Sequence, residues 1–237
     1  MDVKRIHKKI MEIAGKETPG KILDVPCGSG VLLKYFQEKG FDAYGADIDP
    51  SRFQLDSAKF QKADLNNRID YEDDTFDYCL CIEGIEHAFN PYNVVSELSR
   101  VLKPGGTLYL STPNVCRLKN RFHYFFTGIS DILEPAPLPV ERPHNFMLHV
   151  SSIPLPQLDY FCRSHNLEIE EIFVAQYHSG KLFTRLLKPL LRRMVYKAYK
   201  GCRDKEADKV SSRLARFMLS DEILNGEMLI VKAVKHR

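Results

Sequence analysis

Residues 21–30, KILDVPCGSG, place an apolar run directly before a turn of small residues. The run predicts a short buried strand over 21–25, and GVLLKYFQEKG (30–40) predicts a helix that follows the turn. Gly28 and Gly30 let the main chain approach a ligand closely, because neither carries a side chain. The turn therefore predicts a ligand site between strand and helix, with a tight turn that binds nothing as the simpler alternative.

The same alternation of strand and helix continues along the chain. The other predicted strands are 41–48, 76–82, 107–112, 167–175 and 227–234, and the other predicted helices are 50–60, 90–102 and about 155–165. Nearly continuous apolar strands between helices are typical of a parallel sheet that is covered on both faces. The sequence therefore predicts a doubly wound α/β fold, in which ligands bind at the carboxyl ends of the strands.

The composition is that of one globular domain. The chain has 237 residues, 44% hydrophobic and 27% charged, which is enough for a sizeable core. No apolar run approaches the roughly 20 residues of a membrane span, and the first residues lack a signal peptide's apolar core. We therefore expect a cytoplasmic protein. Its six cysteines show no CxxC spacing, which predicts reduced thiols rather than zinc ligands or disulfides.

Positive charge is concentrated in one segment. Residues 181–203 hold eight Lys or Arg and no Asp or Glu, so the net charge of +3 combines +8 here with −5 elsewhere. Within this segment, 189–200 predicts a helix that starts at Pro189 and ends before Gly201. Its apolar face would hold Leu190, Leu191, Met194, Val195 and Ala198, and its cationic face Arg192, Arg193, Lys197 and Lys200.

Three uses of this helix are open. It can lie on an anionic membrane surface, as a peripheral contact through 181–203. It can pack on the sheet with its cations in solvent, or bind an anionic acceptor such as a lipid-linked glycan.

Asp47, at the end of the second predicted strand, lies 17 residues after Gly30. A carboxylate there can accept hydrogen bonds from two ribose hydroxyls. A dinucleotide fingerprint would need a small residue three positions after Gly30, where this chain has Leu33. A nucleotide-like ligand is therefore expected, and a nicotinamide-dependent oxidoreductase is the weaker alternative.

Five motifs in a fixed order carry a family resemblance. They are ILDVPCGSG (22–30), YGADIDP (44–50), KADL (62–65), FDYCLCIEGIEHAFNP (76–91) and ELSRVLKPGGTLYLSTPN (97–114). Over roughly residues 20–115 the chain resembles class I S-adenosylmethionine-dependent methyltransferases, most closely the ubiquinone-biosynthesis and MetW-like branches. The resemblance implies a seven-stranded sheet with an antiparallel last strand, and S-adenosylmethionine as cofactor. It also implies methyl transfer to a small-molecule or lipid-linked acceptor, with oxygen the expected atom. A module that binds the cofactor without catalysis is an alternative.

The resemblance also assigns the cofactor site, residue by residue. Asp24, Gly28 and Gly30 would hold the methionine end, and Asp47 the ribose. Ile48 would pack on the adenine, Asp64 and Leu65 would meet its amino edge, and Glu83 would line the methionine side. Pro26 stands where the family usually has glycine and lacks an N–H, so the useful main-chain donors would belong to residues 27–30, beginning with Cys27.

Catalysis of methyl transfer is mainly alignment, but an oxygen or nitrogen nucleophile can need a base. His87 is the first candidate, with a purely structural role in its loop as the alternative. His144 and His149 flank NFML in a proline-rich segment and are the other candidates. Their five-residue spacing is not that of a helical metal pair, so no metal site is predicted.

The remaining expectations concern organisation and partners. We predict a single domain over 1–237, with a lid at about 113–150 and a basic helical insertion at about 181–220. The aromatic residues of 122–126 would cover the acceptor or pack in the core. Methyltransferases of nucleic-acid bases typically carry an (N/D)PPY-like tetrad where this chain has IEGIEH (82–87), so a nucleic acid is not expected as substrate.

Overall fold

The computed structural model describes residues 3–55, 59–130, 148–177, 181–199 and 205–237. The strands are β1 (Lys21–Asp24), β2 (Asp42–Asp47), β3 (Lys59–Lys62), β4 (Phe76–Cys81), β5 (Leu102–Pro113), β6 (Leu167–Val174) and β7 (Met228–Lys235). The helices are α1 (Arg5–Ala14), α2 (Val31–Glu38), α3 (Pro91–Val101), α4 (Leu118–Thr127), α5 (Leu155–Ser164), α6 (Lys181–Tyr199), α7 (Lys205–Met218) and α8 (Asp221–Asn225).

The strands form one sheet in the order β3-β2-β1-β4-β5-β7-β6. β7 runs antiparallel to both of its neighbours, and the pairs from β3 to β5 are parallel. The predicted doubly wound sheet with an antiparallel last strand is confirmed. The strand order reverses between β1 and β4, so the carboxyl ends of β2, β1 and β4 surround the crevice where such folds bind ligands.

Two apolar clusters cover the sheet. Ile22 packs with the helical residues Ile10 and Phe36, whereas its neighbour Leu23 packs with Leu98 and Leu158 from α3 and α5. Successive residues of a strand point to opposite faces, so β1 contributes to both clusters. This burial fixes the carboxyl end of β1 from both sides. The described cysteines are all free and buried, as predicted.

The predicted helix over 50–60 is wrong. A short 3-10 turn covers Pro50–Arg52, and Lys59–Lys62 pairs with β2 as a parallel edge strand. The rings of Phe53 and Phe60 stack with their centroids 4.4 Å apart, so these aromatics meet across the connection rather than along a helix. The edge strand KFQK lacks the apolar run that indicates a buried strand, so the hydrophobic pattern did not predict it.

The basic insertion lies between β6 and β7, which are neighbours in the sheet. Tyr177 and Gly226 form a β-bridge at its base, and the N–H of Glu227 donates to the carbonyl of Gln176 at 3.0 Å. Asn114, just past β5, adds a hydrogen bond from Nδ2 to the carbonyl of Gly226 at 2.9 Å. The insertion therefore leaves and re-enters the sheet at adjacent points.

The structure corrects the prediction for α6. The helix begins at Lys181, and Pro189 lies inside it on an exposed side, where solvent can replace the lost main-chain hydrogen bond. Thr184, Leu187, Leu191, Val195 and Tyr199 are at least half-buried and form the packed side. Leu190, Met194 and Ala198 share the predicted apolar face with Leu191 and Val195, but they lie outside the packed side and are exposed. The apolar arc of α6 is wider than its contact with the protein. Lys200 and Gly201 lie outside the described residues.

The aromatic residues of α4 do not pack in the core. Phe122, Tyr124, Phe125 and Phe126 are all exposed, so the core-packing alternative is wrong. Of the predicted lid, residues 131–147 lie outside the described part of the chain, and its function as a lid stays a prediction. None of the helices in the described ranges combines the length and apolar character of a membrane span.

Candidate functional site

A cavity of about 460 Å³ opens at the carboxyl ends of β1, β2 and β4. Its floor is the loop after β1, and one wall is the segment after β4. Eight of the nine predicted cofactor residues line it: Asp24, Cys27, Gly28, Asp47, Ile48, Asp64, Leu65 and Glu83. The sheet thus brings together residues that are up to 59 positions apart in the sequence.

The two loop glycines serve different purposes. Both have left-handed backbones, with φ of +52° at Gly28 and +87° at Gly30, where a side chain would be strained. A Cβ on Gly28 would meet no heavy atom within 4 Å, whereas one on Gly30 would lie 2.8 Å from Cδ1 of Leu55. Gly28 lines the cavity and Gly30 does not, so Gly30 is required by packing, and its contact with a cofactor stays a prediction.

The loop's N–H groups are mostly used within the protein. Cys27 donates to the carbonyl of Ala46 at 2.9 Å, and Gly30 donates to the carbonyl of Cys27 at 2.9 Å. Gly28 donates to Oδ2 of Asp47 at 2.8 Å. The N–H groups of residues 27–30 were predicted to hold the ligand. Of these, the N–H of Ser29, which lines the cavity, is the one left for that role.

Asp24 is the last residue of β1, and its carboxyl group is buried. Its side chain is 2% exposed, and Oδ1 is buried without a hydrogen-bond partner. Burial, and secondly the nearby Asp47, raise the pKa of Asp24 well above its usual range. A buried acceptor without a donor, aimed at a cavity, suits a positively charged ligand group such as the ammonium of S-adenosylmethionine.

Asp47 ends β2 and is held by the main chain on both oxygens. Besides the bond from Gly28, Oδ1 accepts from the N–H of Asp49 at 2.9 Å. A carboxylate offers about four acceptor positions, so each oxygen retains one for a ligand hydroxyl. The two main-chain bonds fix the carboxylate rotamer before any ligand binds.

Beyond Asp47, the cavity wall becomes partly apolar. Ile48 and Leu65 contribute aliphatic surface, and Asp64 adds a carboxylate. Oδ1 of Asp64 accepts from the N–H and the Nδ2 of Asn66, at 2.9 and 3.0 Å. Oδ2 accepts one longer bond of 3.2 Å from Asn67, which leaves it room for a further donor. This end suits a flat heterocycle with an amino group.

The opposite end carries Glu83, which has a left-handed backbone with φ of +51°. Its N–H donates to Oγ of Ser111 at 2.8 Å, and its Oε2 accepts from Nζ of Lys4 at 2.8 Å. Lys4 and His7 bring the start of α1 to the cavity. Sequence reasoning missed both, because the docking of an amphipathic helix on a site leaves no local signal.

His87 lies half-buried in the cavity wall after β4. Nδ1 is 2.9 Å from the carbonyl of Leu148, which can only accept, so Nδ1 carries the hydrogen and Nε2 is the free acceptor. Burial, and more weakly His149, lower the pKa of His87. The ring of His149 lies 5.0 Å away, centroid to centroid, so the two predicted histidines meet. His144 lies outside the described residues.

Glu86 joins these histidines and was also missed, although it stands next to His87 in the sequence. It is 1% exposed, Oε2 has no hydrogen-bond partner, and burial raises its pKa to about 8. Among the described residues, Glu86, His87 and His149 form the one group whose ligand-type atoms, all within 4.8 Å of one another, are close enough to hold a metal ion. The cluster can accept a proton or ligate a cation. The sequence predicts no metal here, and that expectation stays a prediction.

Comparisons with known proteins agree with this geometry. The family described as "Methyltransferase domain" matches residues 2–172. The ubiquinone biosynthesis O-methyltransferases of Dechloromonas aromatica and Pseudomonas aeruginosa are each 28% identical, over 71% and 70% of this chain and the same shares of their own lengths. A solved S-adenosylmethionine-dependent methyltransferase from Archaeoglobus fulgidus has the same fold. Its TM-score is 0.60 at 14% identity, covering 98% of this chain and 95% of the other.

These matches decide between the ligands that the sequence left open. The cofactor is S-adenosylmethionine, and the nicotinamide alternative is set aside, in agreement with Leu33 at the position where a dinucleotide fingerprint needs a small residue. The chain belongs to the methyltransferase-domain family and is a class I S-adenosylmethionine-dependent methyltransferase.

Proposed function

We propose that the enzyme methylates an oxygen atom of a small-molecule or lipid-linked acceptor. The observation that carries this proposal is the free Nε2 of His87 at the cavity wall, beside His149 and Glu86. The names of the relatives, O-methyltransferases of ubiquinone biosynthesis, support oxygen as the target.

The cavity suggests how the cofactor is held. Asp24 would receive the methionine ammonium, since its unpaired Oδ1 needs a donor. Asp47 would accept the two ribose hydroxyls on its remaining lone pairs. The adenine would lie against Ile48 and Leu65, with its amino group toward Asp64, and Glu83 would line the methionine side.

When bound, S-adenosylmethionine supplies a methyl group on a positively charged sulfur, whose leaving group is neutral. The protein therefore needs no general acid. Its task is to orient an acceptor hydroxyl, to keep water away and to take the hydroxyl proton as the oxygen becomes nucleophilic.

His87 is the proposed base. Because its pKa is lowered, the imidazole is neutral near pH 7 and Nε2 can take the proton from the acceptor hydroxyl. The carbonyl of Leu148 fixes the ring orientation through Nδ1. His149 would share the proton or contact the acceptor, and His144 stays a candidate from the predicted lid.

Methyl transfer to a panel of phenols and polyprenyl-linked hydroxy compounds tests the proposal. We expect labelled methyl groups to be recovered on oxygen. His87→Ala should lower the turnover rate by about 10²–10⁴ while the affinity for S-adenosylhomocysteine holds. His149→Ala and His144→Ala test the other candidates, and His236→Ala, at the exposed end of the chain, is the matched control.

Three outcomes would contradict the proposal. Label recovered on carbon or nitrogen would remove oxygen as the target atom. Unchanged turnover in all three histidine variants would remove the base and leave alignment alone as the catalytic device. Tight cofactor binding with no transfer to any acceptor would favour a module that has lost catalysis.

A further inference from the structure

A second surface of the molecule has properties that catalysis does not explain. The outward stripe of α6 consists of Phe183, Leu186, Leu190 and Met194, which follow one another at helical spacing. The rings of Phe122 and Phe183 lie 6.1 Å apart, so the stripe adjoins the end of α4. We call this surface the α4–α6 face: the outward stripe together with Phe122, Phe125 and Phe126 of α4.

The apolar side chains of this face are open to solvent. Phe125 and Phe126 are 79% and 77% exposed, and Leu186 is 73% exposed. Single exposed apolar residues are normal on a soluble protein, but a contiguous group of them marks an interaction surface. The packed side of α6 already buries Leu187, Leu191 and Val195 at least in part. The exposed stripe is therefore an addition to the contact that holds the helix.

Exposed cations lie beside the stripe on the same helix. At 100° per residue, Arg193 and Lys197 lie next to Leu186 and Leu190, whereas Arg185 and Arg192 lie on the far side of the helix from the stripe. All four are exposed, and none forms an ion pair with a residue that the structure describes. By contrast, Lys188, nearer the packed side, pairs with Asp221 at 3.1 Å.

We propose that the α4–α6 face docks on the surface of an anionic lipid bilayer. Aromatic and aliphatic side chains would enter the boundary between head groups and acyl chains, and the unpaired cations would meet the lipid phosphates. Long Arg and Lys side chains can reach that layer from a helix that lies flat on it. The complementary charge must come from outside the segment, since 181–203 contains no acidic residue.

This proposal goes beyond the proposed reaction and does not depend on the acceptor. It differs from the sequence-based hypothesis in the surface involved. Leu191 and Val195 of the predicted apolar face are packed, so the docking surface keeps Leu190 and Met194 from that face and extends back to Phe183 and onto α4.

Sedimentation of the full chain with lipid vesicles tests the proposal. We expect the protein to sediment with vesicles that contain phosphatidylglycerol in low salt, and not with pure phosphatidylcholine. Binding should weaken as salt rises, because the screening length falls from about 10 Å at 0.1 M to about 3 Å at 1 M.

Two sets of variants separate the contributions. Arg193→Glu and Lys197→Glu combined should weaken vesicle binding at least about 25-fold, since each cation near an anionic surface matters about five-fold. Leu186→Ser, Leu190→Ser and Met194→Ser combined should remove the binding that persists in high salt. Lys34→Glu and Lys39→Glu combined, both exposed and outside the α4–α6 face, form the matched control and should bind nearly as wild type.

The outcomes are distinct. No sedimentation of wild type with anionic vesicles in low salt overturns the proposal, and so does an equal loss in the control variant. A concentration-dependent dimer that is abolished by the serine variants, without vesicle binding, would assign the face to a second copy of the chain. Unchanged affinity for S-adenosylhomocysteine and unchanged thermal unfolding show that each variant is folded, so failure here leaves the proposed reaction standing.

Discussion

The cofactor cavity and the α4–α6 face use opposite physical means. In the cavity, Asp24 and Asp47 are almost fully buried, and two main-chain hydrogen bonds fix Asp47 before a ligand arrives. On the face, Phe126 and Leu186 project into solvent, and Arg193 and Lys197 flank Leu186 on the helix. Interactions in the cavity are short-ranged, dry and insensitive to salt, whereas those of the face are shallow, additive and screened. The cofactor cavity, where methyl transfer takes place, is thus separate from the surface that we propose docks the enzyme on a membrane.

The largest expected effect is on the free energy of unfolding, when one aromatic residue near each region is replaced by alanine. Phe36 of α2 is 1% exposed behind the glycine loop, and Phe126 is 77% exposed. Phe36→Ala should lower the free energy of unfolding by about 3–5 kcal/mol, because it removes a packed ring and leaves a cavity. Phe126→Ala should change it by less than about 0.5 kcal/mol. Urea unfolding measures both. Similar losses in the two variants would mean that the α4–α6 face is covered in solution.

A smaller effect is expected when a cavity carboxylate is removed. Asp47→Ala should weaken S-adenosylhomocysteine binding by about 1.5–3 kcal/mol, the range for hydrogen bonds to a charged group. Asp42→Ala, at the start of the same strand and exposed, is the control and should leave the affinity unchanged. Isothermal titration calorimetry is suitable, since the chain has no tryptophan for fluorescence. Equal affinities of wild type and Asp47→Ala would remove Asp47 from the ribose site.

The smallest expected effect is a pH-dependent change in folding stability, and it arises from Asp24. Its pKa is raised in the folded protein above the ordinary 3.8, so above about pH 4 the unfolded chain releases a proton that the folded chain keeps. Folding stability therefore falls as the pH rises from about 4 toward the raised pKa. Asp24→Asn should melt at a higher temperature than wild type at pH 7, by a margin that shrinks toward pH 4.

The same titration should appear in cofactor binding. If Asp24 is protonated in the free enzyme and pairs with the methionine ammonium, binding of S-adenosylhomocysteine at pH 7 releases a proton. Calorimetry in buffers of different ionisation enthalpy measures this proton, and Asp24→Asn should abolish it while binding more weakly. Unchanged affinity in Asp24→Asn would place the ammonium elsewhere.

The sequence predicts the cavity better than the surface, for a physical reason. Gly28, Asp47 and His87 belong to short motifs at strand ends, and the sheet topology brings such ends together. Lys4 reaches the cavity by the docking of α1, which has no local signature. In α6, periodicity identified the apolar arc, but only packing decides which part of a wide arc is buried: Leu191 and Val195 are packed, whereas Leu190 and Met194 are exposed.

The base of the insertion has an evolutionary consequence. Tyr177 and Gly226 lie side by side, so everything between them is a side branch of a β-hairpin rather than a link in the sheet. A tenfold change in the length of such a branch alters the entropy of closing it by only about 2 kcal/mol. By this entropic cost alone, the branch can change in length while the five strands from β3 to β5, and the cavity at their ends, keep their register. A change in the α4–α6 face can therefore leave the cofactor cavity intact.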